Sequence, residues 1–93
     1  MEKALMVKEV DNVAVALAKI DAGQIVSLTL PSGRMVKEIM ARQEIPFAHK
    51  IAVSSIEEGN RVIRYGEAIG LAKEEIGEGF HVHVHNVKSG RFA

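Results

Sequence analysis

The sequence predicts a small, mainly β domain with one or two short helices. Two observations lead there: apolar residues fall in short runs, and glycines at 59, 66, 70, 77 and 79 separate those runs. A third is a lone helical spacing early in the chain. At 93 residues the chain fits one domain, 1–93, and a chain this size buries only a modest core.

The elements follow in order. Ala4 to Val10 reads as a first strand. Asp11-Asn12 can cap a helix, because either side chain accepts from free N–H groups of a first turn. Val13, Ala16, Leu17 and Ile20 then fall at helical spacing, so residues 12–20 are expected to be helical, with Gly23 ending the helix. Ile25, Val26, Leu28 and Leu30 predict a strand, stopped by Pro31-Ser32-Gly33. Arg34 to Met40 predicts a second strand, with Met35 and Met40 filling the core. Pro46 disfavours helix at Ile45, and Phe47 is expected to anchor that segment in the core. Ile51 to Val53 predicts a short strand, and Glu57-Glu58-Gly59-Asn60 a turn. Val62 to Tyr65 predicts a strand ended by Gly66, and Glu67 to Ala72 a further short strand or turn. Gly77-Glu78-Gly79 is a turn leading into an extended Phe80 to Val87. No internal repeat or linker is expected. The Gly90-Arg91-Phe92-Ala93 end is expected to be loose or ordered by a partner.

Composition excludes several function classes. The 12 basic and 12 acidic residues balance, so binding of nucleic acid by bulk charge is not expected. There is no cysteine, so neither disulfides nor thiolate metal sites can form. No apolar run approaches the roughly 20 residues needed to span a bilayer. Val7-Lys8-Glu9 soon after the N-terminus does not fit a secretion signal, and a cytoplasmic protein is the expectation. The sequence has no phosphate loop, dinucleotide fingerprint, nucleophile elbow or zinc-finger spacing.

Chemistry concentrates in His81-Val82-His83-Val84-His85-Asn86. On a strand, alternate side chains share a face. His81, His83 and His85 would then project together, with Val82 and Val84 packing into the core. Such a face suits metal binding, proton transfer or carboxylate recognition, because imidazole ligates transition metals and titrates near neutrality. Residues two apart on a strand lie roughly 6.5–7 Å apart, so two of the three can meet one ion more easily than all three. His49-Lys50 presents two polar heads beside Pro46 and can bind a carboxylate. Glu67, at the end of the Arg64-Tyr65-Gly66 bend, is a candidate metal ligand, a histidine orienter or a plain turn residue. Glu57-Glu58 and Glu74-Glu75 read as solvated turns.

Four segments carry a resemblance. Asp11-Asn12-Val13-Ala14, Ile45-Pro46-Phe47-Ala48-His49-Lys50, Val62-Ile63-Arg64-Tyr65-Gly66-Glu67-Ala68-Ile69-Gly70 and Gly79 through Val87 resemble the SAF-type domain of altronate and galactarate dehydratases. The same module resembles the small subunit of sulfolactate sulfo-lyase. Ala48 stands where the family more often has Gly, and Phe92 follows Arg91 where a small Gly is common. The resemblance implies a β-clip fold and a lyase that removes water or sulfite from a hydroxy acid, completed by a larger catalytic subunit. It also implies a divalent metal cofactor, iron foremost, with manganese or zinc as alternatives. On that basis His81, His83 and His49 are the expected catalytic residues. Lys50, His85 and Asn86 are the expected substrate contacts, and His81, His83 and Glu67 the expected metal ligands. A non-catalytic binding module for a sugar acid, metal or protein is the competing reading, because fold alone does not fix function.

Overall fold

A computed structural model describes residues 2–89. Met1 and residues 90–93 lie outside the described residues, and with them the expected loose end and the Arg91-Phe92 departure. Nine strands are present: β1 (Glu2–Leu5), β2 (Val13–Ala16), β3 (Ile25–Thr29), β4 (Met35–Met40), β5 (Lys50–Ala52), β6 (Arg61–Arg64), β7 (Glu67–Ala72), β8 (His81–Val82) and β9 (Val87–Ser89). They form a six-stranded sheet, β4-β3-β1-β2-β5-β8, and a three-stranded sheet, β6-β7-β9. All pairs are antiparallel except β1 with β3. The mainly β expectation holds, but the described residues contain no helix.

The expected helix at 12–20 is instead β2 followed by a bend, with Ile20 in an isolated bridge. Val13-Ala14-Val15-Ala16 lies between β1 and β5, which supply its hydrogen bonds on both sides. Buried between two partners, a run with β-branched residues is stable as a strand whatever helical spacing it carries. Asp11 and Asn12 cap no helix. The buried Asp11 carboxylate accepts from the N–H groups of Val7, Lys8 and Gly66 at 3.1, 3.2 and 2.8 Å. The Asn12 amide accepts from Ile63 N–H at 2.7 Å and donates to Arg61 C=O at 2.9 Å, tying the first loop to β6.

A local repeat, not expected from the sequence, organises the rest. The pattern Ala-x-x-x-Ile-x-x-(Gly/Ala)-x occurs at 16–24, 41–49, 52–60 and 72–80. Its alanines and isoleucines are all buried. Ile20 bridges Ile45, and Ile56 bridges Ile76. The eighth position has positive φ in every copy: 90° at Gly23, 68° at Ala48, 84° at Gly59 and 85° at Gly79. That conformation aims each N–H at the first alanine of the partner copy: Gly23 at Ala41, Ala48 at Ala16, Gly59 at Ala72 and Gly79 at Ala52, at 2.7–2.9 Å. The ninth residue's carbonyl accepts from the same alanine's N–H. The copies thus clasp in two pairs. Ile20 and Ile45 close one core cluster with Met6, Leu28 and Ile51, and Ile56 and Ile76 close the other with Val62 and Val82.

Other expectations need correction. β1 ends at Leu5, and the chain turns from Val7 to Val10. Met35 and Met40 are exposed on the edge strand rather than filling the core, and Phe47 is 66% exposed rather than anchored. The extended Phe80–Val87 breaks after Val82, so β8 joins one sheet and β9 the other.

Candidate active site

The second and fourth copies of the repeat place the histidines. His49 is the ninth residue of its copy, fixed by its N–H to Pro46 C=O at 3.0 Å and its C=O to Ala16 N–H at 2.8 Å. His81 follows the fourth copy, where β8 pairs β5 in the register Lys50↔Val82 and Ile51↔His81. Antiparallel pairing carried one residue further sets His49 opposite His83, and their rings stack at 4.0 Å between centroids and 15° between planes.

All four histidines of the chain converge. His49 and His81 are 5.1 Å apart, His81 and His83 5.6 Å, and His81 and His85 5.1 Å between centroids. His49 Nδ1 and His81 Nε2 lie 2.8 Å apart, so one carries a proton and the other accepts it.

The gathering uses a turn where a continuous strand was expected. Asn86 makes that turn: its Oδ1 accepts from His83 N–H at 2.9 Å, and its Nδ2 donates to His81 C=O at 2.8 Å. His83 C=O accepts from Asn86 N–H at 3.1 Å, closing the four-residue bend. The valines consequently part company: Val82 is fully buried in the core, whereas Val84 is 69% exposed.

The cluster repels protons. His81 has its pKa pushed down to about 4, by burial first and then by His49, His85, His83 and Lys50. His83 is lowered too, by burial first and then by His49, Lys50 and His85. Lys50 is also held below the usual lysine range, by burial and then by the nearby Arg64 guanidinium. At neutral pH His81 and His83 therefore keep free lone pairs.

Two cavities flank the imidazoles. One of about 420 Å³ is lined by Gln43, Glu74, Glu75, Phe80, His85 and Asn86 among others. The other, about 90 Å³, is lined by Lys50, Ile69, His83, Val84, Val87 and Ser89.

Comparison with known proteins agrees with this architecture. Residues 2–90 match the altronate/galactarate dehydratase SAF domain. The chain belongs to that family. Altronate dehydratase of Escherichia coli is 38% identical over 85 residues, covering 91% of this chain and 16% of that protein. Altronate dehydratase of Bacillus subtilis is 35% identical over 89 residues, 96% of this chain and 17% of that protein. The (2R)-sulfolactate sulfo-lyase subunit alpha of Chromohalobacter salexigens is 34% identical over 83 residues, 88% of each chain. This SAF domain thus spans about a sixth of the length of the dehydratases it matches.

Within the SAF domain the expected site residues separate into groups. His49, His81 and His83 form a trio whose ligand atoms all lie within 4.8 Å of one another. Glu67 lies outside the trio, exposed at the start of β7 and paired across the hairpin with Arg64. Asn86 is buried, with its amide engaged in the turn. His85 and Lys50 border different cavities. Gln43 is a member that sequence reasoning missed. Its Oε1 accepts from His81 N–H at 3.0 Å, and no local pattern distinguishes it from other loop glutamines.

The trio fits a metal. Two imidazole nitrogens each 2.0–2.1 Å from a tetrahedral ion sit about 3.3 Å apart, and the trio, with ligand atoms within 4.8 Å of one another and one pair of ring nitrogens at 2.8 Å, needs only small side-chain shifts to reach that. His83 Nδ1 is buried with no hydrogen-bond partner among the described residues. Neutral rings are also the form that ligates. His49, His81 and His83 are therefore the residues that can hold a divalent cation.

Proposed function

We propose that this chain is the small, SAF-type part of a hydro-lyase that dehydrates a sugar acid of the altronate or galactarate type, working with a larger catalytic subunit. The observation that carries this reading is the convergence of all four imidazoles beside Lys50 on a domain of this family.

Elimination beside a carboxylate needs a base for the α-proton, stabilisation of the enediolate and help for the leaving hydroxyl. A proton affinity as low as that of His81 makes a weak general base and leaves a ring nitrogen free of a competing proton at neutral pH, so His49, His81 and His83 would hold the cofactor in this reading. A divalent cation there, iron foremost with manganese or zinc as alternatives, would supply Lewis-acid polarisation of carboxylate and hydroxyl oxygens. Lys50 attracts the substrate carboxylate, and His85 faces the larger cavity as a hydrogen-bonding contact. Asn86 acts by shaping the loop that carries His81 and His83. The remaining acid–base groups come from the larger subunit, and the isolated chain is expected to turn over nothing.

A second reading has a specific observation behind it. The chain covers 88% of the sulfolactate sulfo-lyase subunit alpha, and in this second reading sulfite replaces water as the leaving group on the same scaffold. Purification with a candidate larger subunit, followed by assays of altronate and galactarate dehydration and of sulfite release from sulfolactate, tests both. Turnover that depends on both chains and is lost in His81→Ala supports the lyase. A stable complex inactive on all three substrates ends it.

A further inference from the structure

The larger cavity, about 420 Å³, falls in the size range of small-ligand sites, roughly 300–1,000 Å³. Two side chains join it to the imidazoles. His85 lines it, and the His85 ring lies 5.1 Å from that of His81. Gln43 lines it too. Its Oε1 already accepts from His81 N–H at 3.0 Å, so what that side chain has left to offer is its amide hydrogens. Phe80 forms part of the same wall and is 39% exposed, which leaves ring surface open to a ligand. A Cβ added at Gly77 would meet the Phe80 ring at 3.0 Å, so the ring is packed down on the Gly77 backbone. The charge of the cavity comes from Glu74 and Glu75. Neither enters an ion pair among the described residues, and the adjacent Lys73 donates to the Val84 carbonyl instead, at 3.4 Å.

These groups match a chain of hydroxyl-bearing carbons better than they match an anion. A carboxylate accepts strongly from a hydroxyl and repels another carboxylate. The C–H bonds of such a chain carry slight positive charge and settle against the negative face of an aromatic ring. Amide and imidazole N–H groups donate to the hydroxyl oxygens. A hexonate held by its carboxyl end at the imidazole trio is long enough to reach past His81 into the cavity, whereas lactate is not.

We propose that this cavity is the subsite for the hydroxyl tail of a hexonate, a sugar acid with a single carboxylate, and that Glu74 and Glu75 are specificity-determining residues that reject a hexarate, which carries a carboxylate at each end. Gln43 and His85 donate to the tail, and Phe80 is the platform on which its carbons lie. The place of the reacting end rests on the lyase reading, and the cavity then chooses between the altronate and galactarate classes within it. A hexarate with one carboxylate at the trio brings the other against Glu74 and Glu75, an unfavourable contact that a hexonate never makes. Sulfolactate has no hydroxyl tail to fill the cavity.

The test uses the 93-residue chain at neutral pH. Altronate, galactarate and lactate are titrated separately while NMR follows the Gln43 side-chain amide and the Phe80 and His85 rings. Altronate should shift all three and saturate. Galactarate should need about tenfold more, the penalty of one partly screened pair of like charges, and lactate should leave Gln43 and Phe80 unmoved. Both glutamates are exposed, so the double variant Glu74→Gln, Glu75→Gln should fold, and in it galactarate should bind as tightly as altronate. Glu75→Gln alone should close part of the gap. No saturable shift with altronate, an equal response of Gln43 and Phe80 to lactate, equal affinity for altronate and galactarate in the unaltered chain, or a gap left unchanged by the glutamine substitutions overturns the subsite. The expected selectivity in a chain whose complex with the larger subunit is inactive would count against the lyase and leave the subsite standing.

Discussion

His81 shows how one side chain couples the site to stability. Burial and the neighbouring imidazoles push its pKa down from the ordinary imidazole value of 6.5 to about 4, so between those values the unfolded chain binds the proton that the folded chain refuses. The neutral ring's contribution is complete above pH 6.5 and is lost as the pH falls toward 4. His83 shifts in the same direction and adds to the trend. Urea midpoints of the metal-free chain should therefore decline from pH 7 to pH 4, and the decline should shrink in His81→Gln. A flat profile would contradict the shift. Asn86 is the second decisive residue, because it bonds the backbone on both sides of Val82. Asn86→Ala should cost about 1–3 kcal/mol by leaving a buried donor and acceptor unmet. It should also disperse the ring signals of His81 and His83. A variant with wild-type stability and wild-type histidine spectra would show that the turn forms without the amide. The imidazole run was plain in the sequence. That Asn86 would fold it into a turn was not, because the bonds join groups that an extended strand would hold apart.

Among the elements, the clasped repeat sets backbone conformation where composition alone does not. Three copies place Gly at the eighth position, and the second places Ala48 there at φ 68°. A residue with a Cβ is strained there, while Gly loses more freedom on folding. The first effect is the larger, so Ala48→Gly should stabilise the chain by about 0.5–1 kcal/mol. Gly79→Ala should do the opposite, by about 2 kcal/mol or more. Its Cβ would meet the Met40 carbonyl oxygen in addition to the strained φ. Thermal melts of the two variants should move in opposite directions, and a shared direction would refute this account of the eighth position. The repeat escapes a reading along the chain because its copies are unevenly spaced and share only small or common residues. Strands β3 to β7 were legible from alternation and turn residues. The helix expected at 12–20 was not, since Val13, Ala16 and Ile20 are buried equally well by a strand and a bridge. Only the neighbours β1 and β5 choose between them.

Over the whole molecule, the metal is the most direct check on how the site is assembled. His49 comes from one clasp and His81 and His83 from the other, so a cation shared by them would bind the folded chain and not the unfolded one. At about 100 times its Kd such an ion adds about 2.7 kcal/mol, which for a domain this small raises Tm by about 10–20 °C. Iron(II), manganese(II) and zinc(II) should be compared by calorimetric melting, with His49→Ala and His83→Ala each expected to abolish most of the rise. If His49→Ala retained the full effect, the trio would not be the site. The sequence by itself determined the mainly β class, the family and the residue types of the site, because alternation, turn glycines and imidazoles are properties of short segments. Only the tertiary structure decided that His49, rather than Glu67, meets His81 and His83. Those neighbours are fixed by the pairing of β5 with β8 and by contacts across the two sheets. Such pairings depend on which buried faces fit together, and no local pattern encodes that choice.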